Sequence, residues 1–271
     1  MGDFDAYERR MWQGKAAAFE ASSGLLCAHT VPEVLAAAGI GPGVRVLDVG
    51  TGTGTAARAA VRLGAEVTAV DAEPSMVARA AEAVPEAAVR QAVLPELPFA
   101  DGSFDAVVAN FVLNHVGRPA TALAELLRVL RPGGSVALTV WTSPRAAGQE
   151  LISRALAAAG AVHPSGTPAG LAADEDFPRT EAGLGGLLSA AGFADAAART
   201  LAWDHLADPE VWWSGLATGI GLAGSVLSAQ PAPVAAEVRR RYDELAVGFR
   251  TPEGLLALPH TAVLGWAVRP A

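Results

Sequence analysis

The chain has 271 residues, 51% of them hydrophobic, and its 28 acids outweigh 20 Lys and Arg for a formal charge of −8. That is ample apolar material for one large domain or a domain with a sizeable insertion, and it lacks the basic footprint that a phosphate backbone requires, so no nucleic-acid partner is expected. A single cysteine, Cys27, excludes an internal disulfide and a thiol-built zinc cluster, and fits a reducing, cytoplasmic setting.

The opening Gly2-Asp3-Phe4-Asp5 is acidic, with no apolar run of a signal peptide behind it. Ala6 stands where myristoylation of Gly2 would want Ser or Thr. Residues 4–38 read as helical in two pieces, with apolar spacing such as Val31, Val34 and Leu35. Gly39-Ile40-Gly41-Pro42-Gly43 punctuates, and from residue 44 strands alternate with helices. Strands are expected at 44–49, 66–70, 88–92, 104–110 and 135–141, and helices at 56–63, 73–83 and 118–130, the last ending at Arg131-Pro132-Gly133-Gly134. Strands apolar throughout and separated by helices imply a parallel sheet covered on both faces.

After Trp141 the pattern loosens. Residues 161–180, rich in Gly, Pro, Ala and Asp, read as a loop or lid; 180–191 reads as a helix; 198–203 and 261–268 read as strands, with helices in 208–247 between them. The uncharged stretch 211–236 is long enough to span a membrane, but Ser214, Thr218, Gln230, Pro231 and several glycines dilute it. It reads instead as two helical pieces broken at 230–233 that are buried or line a pocket, so no membrane partner is expected. The expected organisation is an N-terminal helical segment (1–43) closing over the site, a ligand-binding core (44–160), a lid and helical cap (161–260) interleaved with the late strands, and a final core strand (261–271).

The segment 48–54, Asp48-Val49-Gly50-Thr51-Gly52-Thr53-Gly54, closes the first strand and opens a helix. Glycines there permit a tight turn and close approach of a ligand. Asp71 ends the second strand about 20 residues after Gly50, where a carboxylate accepts hydrogen bonds from ribose hydroxyls. In a dinucleotide fingerprint, G-x-G-x-x-G, the third glycine would fall at Thr55; here it comes one residue early, at Gly54. Asp48 would repel a pyrophosphate but favour a ligand ammonium group. The loop therefore suits a positively charged, phosphate-free nucleoside better than NAD, and no Lys-Ser/Thr follows to make it a P-loop.

Four segments in order resemble the class I S-adenosylmethionine-dependent methyltransferases of the small-molecule type: VLDVGTGTG (46–54), VTAVDAEPSMV (67–77), LPFADGSFDAVVANFVLNHV (97–116) and RVLRPGGSVALTVW (128–141). The resemblance implies an α/β, Rossmann-like, seven-stranded, mostly parallel sheet with flanking helices, N-terminal helices and a helical cap insertion. It implies S-adenosylmethionine as cofactor and S-adenosylhomocysteine as product. Gly50, Thr51 and Gly52 would line its methionine and ribose portions, Asp71 would hold the ribose diol, Ala72 and Met76 would pack on the adenine, and the backbone at Val93 and Leu94 would meet the adenine edge. The Asn110 carbonyl, with Phe111 beside it, would hold the methionine ammonium. One position departs: many relatives carry an acid where Val93 stands, so the backbone, a water or another polar group must meet the adenine amino group, or affinity is weaker.

Methyl transfer needs alignment, exclusion of water and, for some acceptors, removal of a proton. Ligands in this architecture lie beyond the carboxyl ends of the strands. Asn114 and His115 follow the fourth strand; His115, with an unperturbed pKa of about 6.5, is either a general base or a structural histidine, and Asn114 either a substrate contact or a loop bond. Tyr7, Met11, Trp12 and Phe19 either close over the substrates or pack as core. Trp141, Trp212, Trp213 and Phe249 could box a flat acceptor or be ordinary core aromatics. His163, His205 and His260 are scattered and read as structural, and no spacing demands a metal. The expected acceptor is a small, apolar, aromatic or polyketide-like metabolite. Abundant Ala, Gly and Arg over Lys resembles proteins of GC-rich bacteria and so suggests secondary metabolism. A monomer or homodimer is expected. The rival readings are a cofactor-retaining cyclase or isomerase, an NAD-dependent oxidoreductase and a non-catalytic binding module.

Overall fold

A computed structural model describes residues 3–168 and 170–271. Gly2, considered above for lipidation, lies outside the described residues, as do Met1 of the 1–43 segment and Ala169 of the 161–180 loop. The strands are β1 (Arg45–Val49), β2 (Glu66–Asp71), β3 (Ala88–Gln91), β4 (Phe104–Asn110), β5 (Leu130–Trp141), β6 (Ala194–Ala207) and β7 (Leu256–Val268). They form one seven-stranded sheet in the order β3-β2-β1-β4-β5-β7-β6, which is the expected Rossmann-like class. The pairs among β1 to β5 are parallel, and β7 runs antiparallel to both β5 and β6.

The apolar runs form strands because both faces of the sheet are covered. Leu47, Val107, Leu138 and Val263 pack on one side against Leu123, Leu126, Leu184 and Leu188. These last come from helices over Pro119–Val129 and Glu181–Ala190. Val46, Ala69, Val108 and Leu264 pack on the other side with Val34, Leu35, Ala57 and Ala60, supplied by helices over Val31–Ala37 and Thr55–Arg62. From β1 the chain moves outward to β2 and β3, then crosses back to β4 on the far side of β1. That reversal opens a crevice at the carboxyl ends of β1 and β4, the usual ligand position in such sheets.

The N-terminal segment forms four short helices rather than two pieces: α1 (Asp3–Trp12), α2 (Ala16–Ala21), α3 (Ser23–Ala28) and α4 (Val31–Ala37). Gly14, at φ 69°, ends the first turn sequence, and Ser22, off helical geometry at φ −137° and ψ −94°, separates the next two. The later helices are α5 (Thr55–Arg62), α6 (Pro74–Ala83), α7 (Pro119–Val129), α8 (Ala147–Ala158), α9 (Glu181–Ala190), α10 (Pro209–Ala217), α11 (Gly221–Ser228) and α12 (Ala232–Ala246).

Three differences from the sequence expectation bear on the site. The stretch 211–236 makes parts of three helices, because Thr218-Gly219-Ile220 breaks the first piece, with Gly219 at φ 81°. It is not uniformly buried: Val211 and Leu222 are exposed while Trp212, Val226 and Leu227 enter the cap core. α8, unrecognised in the loosened pattern after Trp141, packs Leu151 and Ala155 into that same core. Finally β6 and β7 outrun the expected 198–203 and 261–268, and their extra length projects under the cap. Among the described residues no helix is long and apolar enough to cross a membrane.

Candidate functional site

The crevice widens into one cavity of about 1830 Å³ that runs from the glycine loop, under α1, to the cap. Its first end is built from strand termini. Gly50 follows β1 at φ 64°, and a Cβ there would stand 2.5 Å from the Val112 Cγ2. Gly54 caps α5 at φ 86°, where a Cβ would meet Val84 at 3.0 Å and Ala80 at 3.4 Å; its role is to let α6 pack closely. The Thr51 N–H donates to the Val70 carbonyl at 2.9 Å, tying the loop to β2.

Two acids flank that loop. Asp48 is 1% exposed and accepts from the Thr51 hydroxyl at 2.7 Å. Burial pushes its carboxyl up to about 7, against the stabilising bonds from Thr51 and the Ala57 N–H. Asp71 accepts from the Gly52 N–H at 2.8 Å and the Glu73 N–H at 3.0 Å, and burial raises its pKa also. Two carboxylates reluctant to ionise in one crevice favour a cationic ligand and oppose a pyrophosphate.

The Asn110 side chain is fully engaged. Its Oδ1 accepts from the Thr30 and Thr139 hydroxyls at 2.7 and 2.6 Å, and its Nδ2 donates to the Cys27 carbonyl at 3.0 Å. Phe111 turns the chain at φ 62°, donates its N–H to Thr139 Oγ1 at 3.0 Å, and stacks its ring on Trp141 at 3.8 Å. Ala72, Met76, Val93 and Leu94 line the opposite wall. The Val93 carbonyl accepts from the Glu96 N–H at 2.9 Å, and Glu96, an exposed residue that the sequence reading did not consider, also lines the cavity.

α1 lies over the cavity. Met11 and Trp12 line it, as does Phe19 of α2. Tyr7 does not line it and takes the core alternative: its hydroxyl is buried in the protein without a hydrogen-bond partner. α1 and α2 are tied down by polar contacts. The Gly117 N–H donates to Asp5 at 2.7 Å, the Gly14 N–H to Glu73 at 3.1 Å, and Arg79 pairs with Glu20 at 2.8 Å. His115 Nδ1 lies 2.8 Å from Glu8 Oε2 and 3.4 Å from Trp12 Nε1. One ring nitrogen cannot donate to the first and accept from the second. The shorter, charge-assisted contact decides, so Nδ1 carries the proton toward Glu8 and Nε2 keeps the lone pair. Glu8 had no signal in sequence beyond being an acid on a helix. Asn114 donates to the Phe111 carbonyl at 3.3 Å, a local loop bond, while its residue still lines the cavity.

The far end is aromatic. Trp141 and Trp212 line it. Trp213 and Phe249 do not. Consecutive residues of a helix point about 100° apart, so Trp212 and Trp213 cannot share one face. Trp213 instead packs on Tyr242 at 5.0 Å with Arg239 over its ring. His163 stays apart on the surface, but His205 and His260 converge with His29, although they looked scattered in sequence. The register that pairs Trp203 with His260 across β6 and β7 brings them together. Only the two-residue spacing of Trp203 and His205 hinted at a shared face. His29 Nε2 and His205 Nδ1 lie 3.3 Å apart. Burial holds the imidazoles of His205 and His260 down to about 4, hence neutral. Among the described residues no group of three or more His, Cys, Asp or Glu is placed to hold a metal ion.

Residues 47–138 match the family described as methyltransferase domain. Over 110 residues, 41% of this chain and 46% of the relative, the sequence is 41% identical to a demethylmenaquinone methyltransferase of Beutenbergia cavernae. The chain spans about half the length of the curated relatives it matches. Among solved structures, YcgJ of Bacillus subtilis superimposes with a TM-score of 0.57 at 19% identity, over 90% of this chain and 99% of that one. The 4+2 cyclase SpnF superimposes with a TM-score of 0.54 at 25% identity, over 90% and 81%.

Proposed function

We propose, from the premise that residues 47–138 form a class I S-adenosylmethionine-dependent methyltransferase domain, that this protein transfers a methyl group from S-adenosylmethionine to a small, apolar, aromatic or polyketide-like metabolite. The observation that carries the reading is the continuity of one cavity from Gly50 and Asp71 to Trp141 and Trp212. The residues present fit the cofactor. The loop leaves no side chain at Gly50 and Gly52, and the buried Asp48 and Asp71 favour a cation without phosphates.

When bound, S-adenosylmethionine supplies an electrophilic methyl group on a sulfonium. Asp71 would hold the ribose, Asp48 and the Asn110 carbonyl the methionine ammonium, and Ala72, Met76, Val93 and Leu94 the adenine. Glu96, which lines the cavity three residues on, would offer a carboxylate where Val93 has none. α1 excludes water from the cavity. For a hydroxylic acceptor, His115 Nε2 takes the proton while Glu8 steadies the resulting imidazolium.

Calorimetry tests the cofactor first: micromolar affinity for S-adenosylhomocysteine is expected, and no binding at millimolar ligand sinks the proposal. Demethylmenaquinone, the substrate in the relative's name, is the first acceptor to assay, followed by phenols and polyketides. Product mass decides the reaction. Gain of one methyl group supports transfer; a rearranged product of unchanged mass supports the cyclase reading instead.

A further inference from the structure

The aromatic end of the cavity contains a buried nitrogen base that methyl transfer does not use. His260 is 3% exposed and lines the cavity. Its Nδ1 lies 2.7 Å from the Leu258 carbonyl oxygen, so in the neutral ring Nδ1 carries the proton and donates it. The lone pair is thereby fixed on Nε2. Among the described residues nothing donates to that atom. Trp203 stacks on the imidazole at 6.0 Å, Trp212 meets it edge-on at 6.3 Å, and Trp141 tilts toward it at 6.2 Å. An acceptor that opens on the cavity instead of meeting a protein donor is free for a ligand, and three indoles hold this one in place.

The surroundings restrict what can donate. Burial outweighs the opposing pull of the Leu258 carbonyl and the Asp204 carboxylate on His260 and keeps both His205 and His260 neutral, and the same desolvation disfavours a cationic ligand. A carboxylate ligand would face the Nε2 lone pair. A neutral hydroxyl on a flat ring satisfies both the nitrogen and the indoles. The sheet gives the distance from the transfer end. Asn110 pairs with Thr139 on β5, and Trp141 of β5 pairs with Ala262 of β7, two residues from His260. Two strand spacings, about 10 Å, therefore separate the Asn110 strand from the His260 strand. A hydroxyl at Nε2 is thus at the end of the acceptor remote from the methyl group, and recognises the molecule rather than reacting.

We propose that His260 is the specificity residue for the acceptor: Nε2 accepts a hydrogen bond from a hydroxyl of an uncharged, fused-ring phenol held against Trp141 and Trp212. The assignment of this end as the acceptor site rests on the methyl-transfer reading.

The probes are 2-naphthol and 2-methoxynaphthalene, which share a ring system and an oxygen but differ in the donated proton. Each is titrated calorimetrically into the full chain, with and without S-adenosylhomocysteine. The wild type should prefer 2-naphthol by about tenfold or more. His260→Phe, which keeps a flat ring, should bind the two equally, by losing 2-naphthol affinity alone. His260→Gln, which offers an amide oxygen, should keep part of the preference. No preference in the wild type, or an undiminished one in His260→Phe, overturns the assignment. The preference is a ratio between two ligands on one protein, so a merely structural role for His260 would not change it. S-adenosylhomocysteine affinity, read separately on each protein, reports on the methyl-transfer proposal. If it is absent while the naphthol preference follows His260, the transfer reading falls and the His260 site stands.

Discussion

The two ends of the cavity are built in opposite ways. The glycine-loop end is made of backbone and strand termini: Gly50, the N–H groups of Gly52 and Glu73 on Asp71, and the chain at Asn110 and Val93. All come from one continuous run of the chain. The aromatic end is made of side chains from separate places: Trp141 on β5, Trp212 on α10 and His260 on β7 line it, with Trp203 and His205 of β6 packed against His260 and Trp212. The first construction fixes a shape that few substitutions can retune, which suits a constant cofactor. The second changes with each side chain, which suits an acceptor that differs from one enzyme to another.

If the contrast is right, damage at one end should leave the other intact. The largest effect is expected from Gly50→Val. The new side chain would need φ 64° and would collide with Val112, so S-adenosylhomocysteine affinity should fall by about a hundredfold or more while 2-naphthol binding changes little. Equal losses at both ends would erase the distinction.

Asp48 offers a milder test. Its carboxyl is raised to about 7, so in the free protein it is protonated below that pH, whereas a ligand ammonium group favours the anion. Cofactor affinity should therefore rise from pH 6 to pH 8. Asp48→Asn should flatten that profile and cost about tenfold at pH 8. The linkage has a second side. Because the folded pKa lies above the ordinary carboxylate value, this group's contribution to stability is lost as pH rises toward 7, so at pH 8 the ligand-free Asn variant should melt higher than the wild type. A lower melting temperature would show that Asp48 supports the fold rather than the ligand.

The smallest effect belongs to Glu8→Gln. An amide oxygen still accepts from His115 Nδ1 but does not stabilise an imidazolium, so kcat for a phenolic acceptor should drop about fivefold with KM nearly unchanged. A KM effect alone would assign Glu8 to lid closure.

The same contrast explains what the sequence revealed. Elements of the core were legible because hydrophobic run, turn and helix follow within a few residues, and β4 falls at 104–110 as expected. The loop acids were legible because they end strands. α8 was not: it begins at Ala147 after Ala146, which has no capping side chain, and Gln149 reaches back to the Ala146 N–H at 2.9 Å without a Ser, Thr or Asp to announce it. β5 is counted from Leu130 because Arg131-Pro132-Gly133-Gly134 forms an irregularity within the strand, where Asp105 bridges Arg45 and Arg131. The convergence of His29, His205 and His260 depends on an antiparallel register with the whole cap between its partners, and no local pattern encodes that. Trp213 packs on Tyr242 and not along the cavity, a division from Trp212 set by helical geometry that hydrophobicity alone does not report.

Glu73 occupies the boundary between the two constructions. Its carboxylate caps α6 through the Met76 N–H at 3.0 Å, and its other oxygen holds the Gly14 N–H just beyond α1. The floor of the cofactor site and its roof thus share one side chain, two residues from Asp71. One carboxylate is therefore the hinge pin of this corner: its loss would free the start of α6 and the turn after α1 together.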